Sequence, residues 1–248
     1  MPSEFKDPLD ASYYISMNML RAVHLQDIGA KENLCSDQPR FAPISWGPTV
    51  SELNDVLNTF KRWYQAFEPL YRRSRTPEGK HFSDSATLLR LQYLCNYLFV
   101  AAGSPNTSLY YRRYEKELWE VIASVKDVIK LIIAGSTFAC DQMVVLPLAV
   151  TGLNYRHRAV RREAISIFKT LVRREGVWDA SMLGKIIEWM AEIEEAELGD
   201  EIYVPEDGVA MIVDMKIDEP RRIVMVKCAK GIIGQPGKTE VFGTTLHW

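Results

Sequence analysis

The spacing of apolar residues changes once along this chain, and that change constrains the fold more than any other feature. Up to about residue 198, apolar residues recur at steps of three and four, which places them on one face of a helix. The clearest run is Leu53, Val56, Leu57, Phe60, Trp63, Tyr64, Phe67, Leu70 and Tyr71. Beyond Gly199 apolar and polar residues alternate, as in a half-buried strand. The pattern predicts a mainly α fold, a helical bundle with a small C-terminal antiparallel β meander.

The ends of the predicted helices carry local signals. Thr49 and Glu52 have the spacing of a capping box, and Ser83 or Asp84 can cap the next helix. Pro69 is expected to kink or end the first helix. The helices that follow are predicted over residues 87–102, 109–134, 142–154, 159–174 and 179–198. The helix over 87–102 is apolar almost all round, so we expect it to be central and buried.

The chain shows no long linker between the helices and the meander. The sequence therefore predicts a single domain over residues 1–248. Within it, residues 1–48 are expected to be an irregular lead-in with a short helix over 13–25. Residues 49–198 form the predicted helical core, and residues 199–248 the C-terminal β meander.

The composition excludes several classes of protein. With 248 residues, 47% of them hydrophobic, the chain can bury a full core, and its net charge of -2 is unlike that of a strongly basic nucleic-acid module. The cysteines are scattered without a CxxC pair, so no disulfide framework, zinc site or other cofactor is expected; they are Cys35, Cys95, Cys140 and Cys228. No segment reads as a signal peptide or a membrane span, which predicts an intracellular protein, cytoplasmic or nuclear.

Seven basic residues fall between positions 156 and 174: Arg156, Arg158, Arg161, Arg162, Lys169, Arg173 and Arg174. On a helix over 159–174, a solvated face opposite an apolar stripe is expected from Arg158, Arg162, Lys169 and Arg173, and a phosphate or anion contact from the exposed arginines is the alternative interpretation. Gly176 is predicted to be the left-handed cap of this helix. Trp178 is predicted to be buried, and Asp179 to cap the next helix.

The segment over residues 141–180 resembles the C-terminal homology region of fungal zinc-cluster (Zn2Cys6) transcription factors, and the wider resemblance covers about residues 109–248. In that family an aspartate precedes a Pro-Leu helix, an Arg-His pair opens the next helix, and an Arg-Arg-Glu-Gly-x-Trp-Asp signature closes it. The matching residues are Asp141, Pro147, Leu148, Arg156, His157, Arg161, Arg162, Ala164, Ile165, Arg173, Arg174, Glu175, Gly176, Trp178 and Asp179.

The chain also departs from that family. Tyr155 stands where the family usually has cysteine, and Ala180 where it usually has serine. The six-cysteine zinc cluster that binds DNA in those factors is absent, because four dispersed cysteines cannot supply it. The resemblance without the cluster implies a regulatory-domain homologue that has no nucleic-acid partner.

No established catalytic motif is present in the sequence. It contains no HExxH, GxSxG, Walker or dinucleotide signature, so no catalytic residue is assigned. His157 is interpreted as a packing residue at a helix start rather than a general base, and Asp141 as a helix cap. Glu175 is expected to pair with the arginines. The acidic run over 192–201 is interpreted as a solvated helix end.

Aromatic and polar residues at helical spacing indicate a ligand site. On two of the predicted helices the spacing lets several rings face a shared interior, with amide groups within one turn of them. The predicted ligand-binding residues are Trp63, Tyr64, Phe67, Gln92, Tyr93, Asn96 and Tyr97. Core packing is the competing interpretation for most of these rings.

Two functions remain open at this stage. In the first, the chain is a non-DNA-binding homologue of the regulatory domain that binds an apolar small metabolite or a protein partner in secondary metabolism. In the second, the fold is a cofactor-independent biosynthetic enzyme, similar to a cyclase or pericyclase, that acts on an apolar polyketide or terpenoid intermediate. Neither interpretation involves a membrane, and both allow a homodimer.

Overall fold

Seven α-helices precede a three-stranded antiparallel sheet in the residues that the computed structural model describes, which are 1–34, 50–102, 111–132, 138–139, 143–235 and 237–248. The predicted mainly α fold with a C-terminal meander is confirmed. The helices are α1 (Pro8–Leu34), α2 (Val50–Arg73), α3 (Ser83–Ala102), α4 (Glu115–Leu131), α5 (Val145–Asn154), α6 (Arg158–Thr170) and α7 (Ala180–Glu195). The strands are β1 (Phe138–Ala139), β2 (Arg174–Glu175), β3 (Trp178–Asp179), β4 (Ala210–Asp218), β5 (Ile223–Gly231) and β6 (Thr239–His247).

Contacts between residues divide the chain into two compact units. Unit 1 takes the described residues within Met1–Gln38, Ile44–Thr107 and Ala123–Ile133. Unit 2 takes those within Pro39–Pro43, Ser108–Ile122 and Ala134–Trp248. The division crosses α4 and does not follow the predicted boundary at residue 199. The single-domain organisation of residues 1–248 stays a prediction.

In unit 1, α1 is longer than predicted, and the irregular lead-in is wrong over Pro8–Leu34. The carboxylate of Asp7 accepts the backbone N–H groups of Leu9 and Asp10 at 2.9 and 3.0 Å, which caps the start of the helix. Ala11 and Ile15 are buried on one of its faces. The Asp7 cap and the buried face therefore stabilise a helix within the lead-in that the sequence predicts to be irregular.

The two other helices of unit 1 follow the predicted pattern closely. Pro69 is exposed within α2 and does not end it, since the helix continues to Arg73. The helix α3 is buried almost all round, as predicted, although Ser83 lies inside it and not at a cap. The indole Nε1 of Trp63 on α2 donates to the carbonyl oxygen of Ala11 on α1 at 2.9 Å. The proposed caps Thr49 and Asp141 lie outside the described residues.

In unit 2, α7 covers one face of the meander. The sheet has the order β4-β5-β6, and its buried face packs against α7 through a cluster of Met182, Ile186, Met190, Ala210, Val224, Val226 and Cys228. Along β5 buried and non-buried residues alternate, which explains why the strand pattern was readable in the sequence. A register shift between Ile212 and Asp214 marks a bulge at Val213 in β4.

In unit 2 the start of α4, the end of α6 and the role of Gly176 differ from the predictions. A 3-10 turn over Tyr111–Tyr114 precedes α4, which begins at Glu115 and not at 109. The helix α6 ends at Thr170 and not at 174, because Leu171 is extended and Arg174–Glu175 forms β2, which pairs with β1 and β3. Gly176, with a φ of 57°, therefore turns the β2–β3 hairpin and does not cap a helix.

Candidate functional site

In unit 1 the five predicted rings lie in contact with one another. The centroid distances are 4.7 Å for Trp63–Phe67, 5.7 Å for Trp63–Tyr93, 4.9 Å for Tyr64–Tyr93 and 5.7 Å for Tyr93–Tyr97. The planes of each pair are within 17° to 22° of parallel, so the rings stack. We call these five residues the aromatic cluster. Trp63 and Phe67 are fully buried and also belong to the core of unit 1.

Helix α3 also carries polar residues close in sequence to the rings of the aromatic cluster, and one of them contacts the rings. The guanidinium of Arg90 is buried, and its central carbon lies 4.2 Å from the ring centroid of Tyr64, which is a cation–π geometry. Asn96 is only 4% exposed, and its Nδ2 has no hydrogen-bond partner among the residues that the structure describes. Gln92, one turn before Asn96, is half-buried. All seven predicted ligand-binding residues thus lie on α2 or α3, and one of them carries an unpartnered buried donor.

In unit 2 the predicted solvated basic face is wrong for Arg173. Arg156, Arg161 and Arg173 are buried. Each of the seven basic residues lies within ion-pair distance of a carboxylate; the pairs are Arg156–Glu194, Arg158–Glu195, Arg161–Glu194, Arg162–Glu195, Lys169–Glu188, Arg173–Glu175 and Arg174–Glu219. Five carboxylates of the chain thus pair with the seven basic residues, since Glu194 and Glu195 each take part in two of these pairs.

The centre of this network is Glu194, which is fully buried near the end of α7. Its Oε1 accepts the Nε–H of Arg156 at 3.2 Å and the backbone N–H of Ala210 at 2.7 Å, and its Oε2 lies 2.7 Å from Nη1 of Arg161. Burial lowers the pKa of the Arg161 guanidinium, and the Glu194 carboxylate opposes that shift. Residues 192–201 are predicted to be a solvated helix end. That prediction is wrong for Glu194, because its carboxylate is buried between the two arginines and the backbone N–H of Ala210.

The signature around Glu175 is a second buried network. The Glu175 carboxylate accepts the backbone N–H groups of Met143, Val144 and Val145 at 2.8 to 3.1 Å, at the start of α5. The Nε–H of Arg173 donates to the same carboxylate at 2.7 Å, which confirms the predicted pairing. A negative charge at a helix N-terminus is favoured by the free amides and the helix dipole. Glu175 therefore acts as a cap for a helix that precedes it in the chain.

The last residues of the signature have a related role. The Oδ1 of Asp179 accepts the backbone N–H of Met182 at 3.0 Å, so the predicted cap of α7 is confirmed. Trp178 is only partly buried, and the prediction of a fully buried side chain is wrong, because Trp178 pairs with Glu175 across a hairpin near the surface. The departures from the family pattern, Tyr155 and Ala180, are both buried.

His157 lies at the start of α6 and is buried, as predicted. Its Nδ1 accepts the backbone N–H of Val160 at 3.3 Å and so caps the helix. Its Nε2 lies 3.5 Å from Oε1 of Glu115, whose other oxygen accepts the hydroxyl of Tyr203 at 3.2 Å. Both ring nitrogens are thus occupied, which supports a structural role over a general base.

A surface cavity of about 490 Å³ adjoins this histidine. It is lined by Glu115, Asp200, Glu201, Ile202 and Tyr203. The nearby loop is held by Arg158, whose Nη1 donates to the carbonyl oxygens of Gly199 and Glu201 at 2.7 and 3.0 Å. These residues are not among the predicted site residues. The acidic composition of residues 192–201 is the signal that the sequence carries there, and it is typical of a solvated surface.

Within the described part of the chain, no group of three or more His, Cys, Asp or Glu side chains is arranged to hold a metal ion. None of the helices described there combines the length and apolar character needed to cross a bilayer. Comparisons with protein-family models, with curated proteins and with solved structures find no match to this chain.

Proposed function

We propose that the chain is a ligand-binding module related to the regulatory region of fungal zinc-cluster transcription factors, and that it binds an apolar small molecule beside the aromatic cluster without binding DNA. The signature residues over 141–180 support the relationship. A role in secondary metabolism is part of this proposal. The ligand carries flat apolar surface and at least one hydrogen-bond acceptor.

The unpartnered Nδ2 of Asn96 is the observation that carries the proposal. A buried N–H group without an acceptor costs roughly 1–3 kcal/mol, and such groups are rare in folded proteins. A carbonyl or ether oxygen on a ligand would accept this donor and remove the cost. Tyr93 and Tyr97, which flank Asn96 on α3, are buried and stacked on each other, so the proposal requires the remainder of the molecule to be taken up beside these rings.

The pairing of the basic residues supports the second part of the proposal. DNA binding needs cations that can exchange their partners for phosphates, and the strength of that contact grows with their number. Arg156, Arg161 and Arg173 are buried against carboxylates, and their removal from those partners would leave buried charges uncompensated. The basic stretch over 156–174 is the part of the sequence that most resembles a phosphate-binding surface. Its buried arginines are therefore used in ion pairs within the protein.

Ligand retention tests the proposal. The purified chain is incubated with a lipophilic extract of the organism that encodes it and analysed by native mass spectrometry for a retained small molecule. We expect the wild type and the control Arg162→Ala, which alters an exposed side chain, to retain the same molecule. We expect Asn96→Leu to lose it and Tyr97→Phe to retain it more weakly. Retention by Asn96→Leu at the wild-type level, or no retention by the wild type, would contradict the proposal.

Fluorescence anisotropy with labelled DNA tests the absence of DNA binding. We expect the same weak, salt-sensitive response to a set of duplexes and to their scrambled versions at physiological salt. Nanomolar affinity for one duplex over its scrambled control would be incompatible with this part of the proposal.

A further inference from the structure

Helix α1 of unit 1 exposes a row of large apolar side chains. Leu9, Tyr13, Met17 and Leu20 are 80, 64, 49 and 64% exposed. Their spacing of four, four and three residues places them on one face of the helix, opposite the buried face. We call these four residues the α1 stripe.

An apolar stripe of this kind is typical of a helix that packs on both sides. Ala11, Ile15 and Ala22 already bury one face of α1, and a helix that is apolar on two opposite faces is normally covered on both. The spacing of the stripe is also close to the 3.5-residue repeat of a helix–helix seam. Contiguous exposed apolar surface on a folded protein marks an interaction site.

The charges beside the stripe indicate what covers it. Asp10 and Arg21 are both exposed. Asp10 directly follows Leu9 in the sequence, and Arg21 directly follows Leu20. At 100° per residue both lie on the same flank of the stripe. Asp10 and Arg21 are eleven positions apart, and so are Leu9 and Leu20. Eleven positions span about 16 Å along a helix.

We propose that the α1 stripe is a dimer interface that binds the α1 stripe of a second copy in antiparallel orientation. A two-fold axis perpendicular to the helices brings Leu9 of each copy opposite Leu20 of the other. The same operation places Asp10 of each copy beside Arg21 of the other, so the interface contains two opposite-charge pairs. A parallel pair would instead place the charged flanks of the two copies on opposite sides of the seam, so neither opposite-charge pair would form.

The size of the stripe sets the expected strength of the dimer. Stable interfaces bury about 1,200–2,000 Å² in total, and four side chains on each copy supply the apolar centre of a small one. We therefore expect a reversible dimer whose population rises with protein concentration. This inference is independent of ligand binding, because it depends only on the outer face of α1.

Sedimentation equilibrium over a range of protein concentrations tests the interface. We expect the wild type to show a monomer–dimer equilibrium, and Leu20→Glu to raise the dissociation constant about tenfold or more, since a charge is then buried in the seam. Tyr13→Glu provides a second disruption of the stripe. The matched control is Val172→Glu, which places the same charge on an exposed apolar residue of unit 2 and should leave the equilibrium unchanged.

A charge exchange tests the orientation. Asp10→Arg and Arg21→Asp should each weaken the dimer, and the double variant should restore it, because the pairs are re-formed with reversed signs. Circular dichroism confirms that each variant keeps its helical content. A wild type that stays monomeric at every concentration, or a dimer insensitive to both Leu20→Glu and Tyr13→Glu, would overturn the proposal. A double variant no tighter than the single ones would overturn the antiparallel arrangement.

Discussion

The carboxylate of Glu175 accepts the backbone N–H of Val145 at 3.0 Å, across 30 residues of chain. This contact ties the start of α5 to the β2–β3 hairpin, and Asp179 at the other end of the hairpin caps α7. A single short segment therefore fixes the N-termini of two helices. The Arg-Arg-Glu-Gly-x-Trp-Asp signature is explained by this arrangement, with Gly176 supplying the left-handed turn between the two caps.

Replacement of Glu175 by alanine is expected to lower the free energy of unfolding by about 3–5 kcal/mol, because it removes the carboxylate that balances the buried Arg173 charge and accepts the first amides of α5. Urea denaturation followed by circular dichroism measures the change. The matched control is Glu188→Ala, whose carboxylate pairs with Lys169 at the surface and should change stability by less than about 1 kcal/mol. Equal effects of the two substitutions would contradict the buried cap.

The adjacent residues Arg161 and Arg162 on α6 are expected to differ sharply in their contribution to the free energy of unfolding. Arg161→Met removes a guanidinium that is 1% exposed and leaves Glu194 without one of its cations, so we expect a loss of about 3–5 kcal/mol. Arg162→Met alters a mostly exposed side chain and should cost less than about 1 kcal/mol. Thermal and urea unfolding of the two variants give the comparison. A solvated basic face would instead give small effects at both positions.

The buried thiol of Cys228 predicts that the free energy of unfolding falls with rising pH in the alkaline range. Burial, with a smaller effect of the nearby Glu194 carboxylate, raises its pKa from 9.0 to about 11. The unfolded thiol loses its proton at lower pH than the folded one, so the stability that this group contributes is present below pH 9 and is lost as the pH rises to 11. We expect the free energy of unfolding of Cys228→Val to fall less steeply over this interval than that of the wild type. Parallel pH profiles would show that the thiol does not contribute.

Asn96→Leu is expected to stabilise the ligand-free protein by about 1 kcal/mol. The substitution replaces a buried donor that has no partner with an apolar side chain of similar shape, and such exchanges are neutral or stabilising. Thermal unfolding in the absence of ligand measures the change, and loss of retention by the same variant separates binding from stability. A destabilisation above about 2 kcal/mol would mean that the amide is satisfied within the protein.

The aromatic cluster was predictable because its determinants are local. Tyr93 and Tyr97 are four residues apart, as are Trp63 and Phe67, so helical periodicity alone places each pair on one face. The stacking of Trp63 on Tyr93 joins two helices, and the sequence indicated only that both helices had aromatic faces. The lack of a partner at Asn96 could not be predicted, because it depends on every polar group near that amide in three dimensions.

By itself the sequence determined the helical character of residues 50–73 and 87–102, the change to strands after residue 199 and the apolar face of α2. These properties follow from the periodicity of single segments, whose hydrophobic spacing matches one backbone geometry. The tertiary structure alone decided that Arg161 is buried, that α6 ends at Thr170, and that Glu175 caps a helix 30 residues before it. A charged side chain is stable in the interior only where another segment supplies its counter-charge, and that pairing is created when distant parts of the chain pack together.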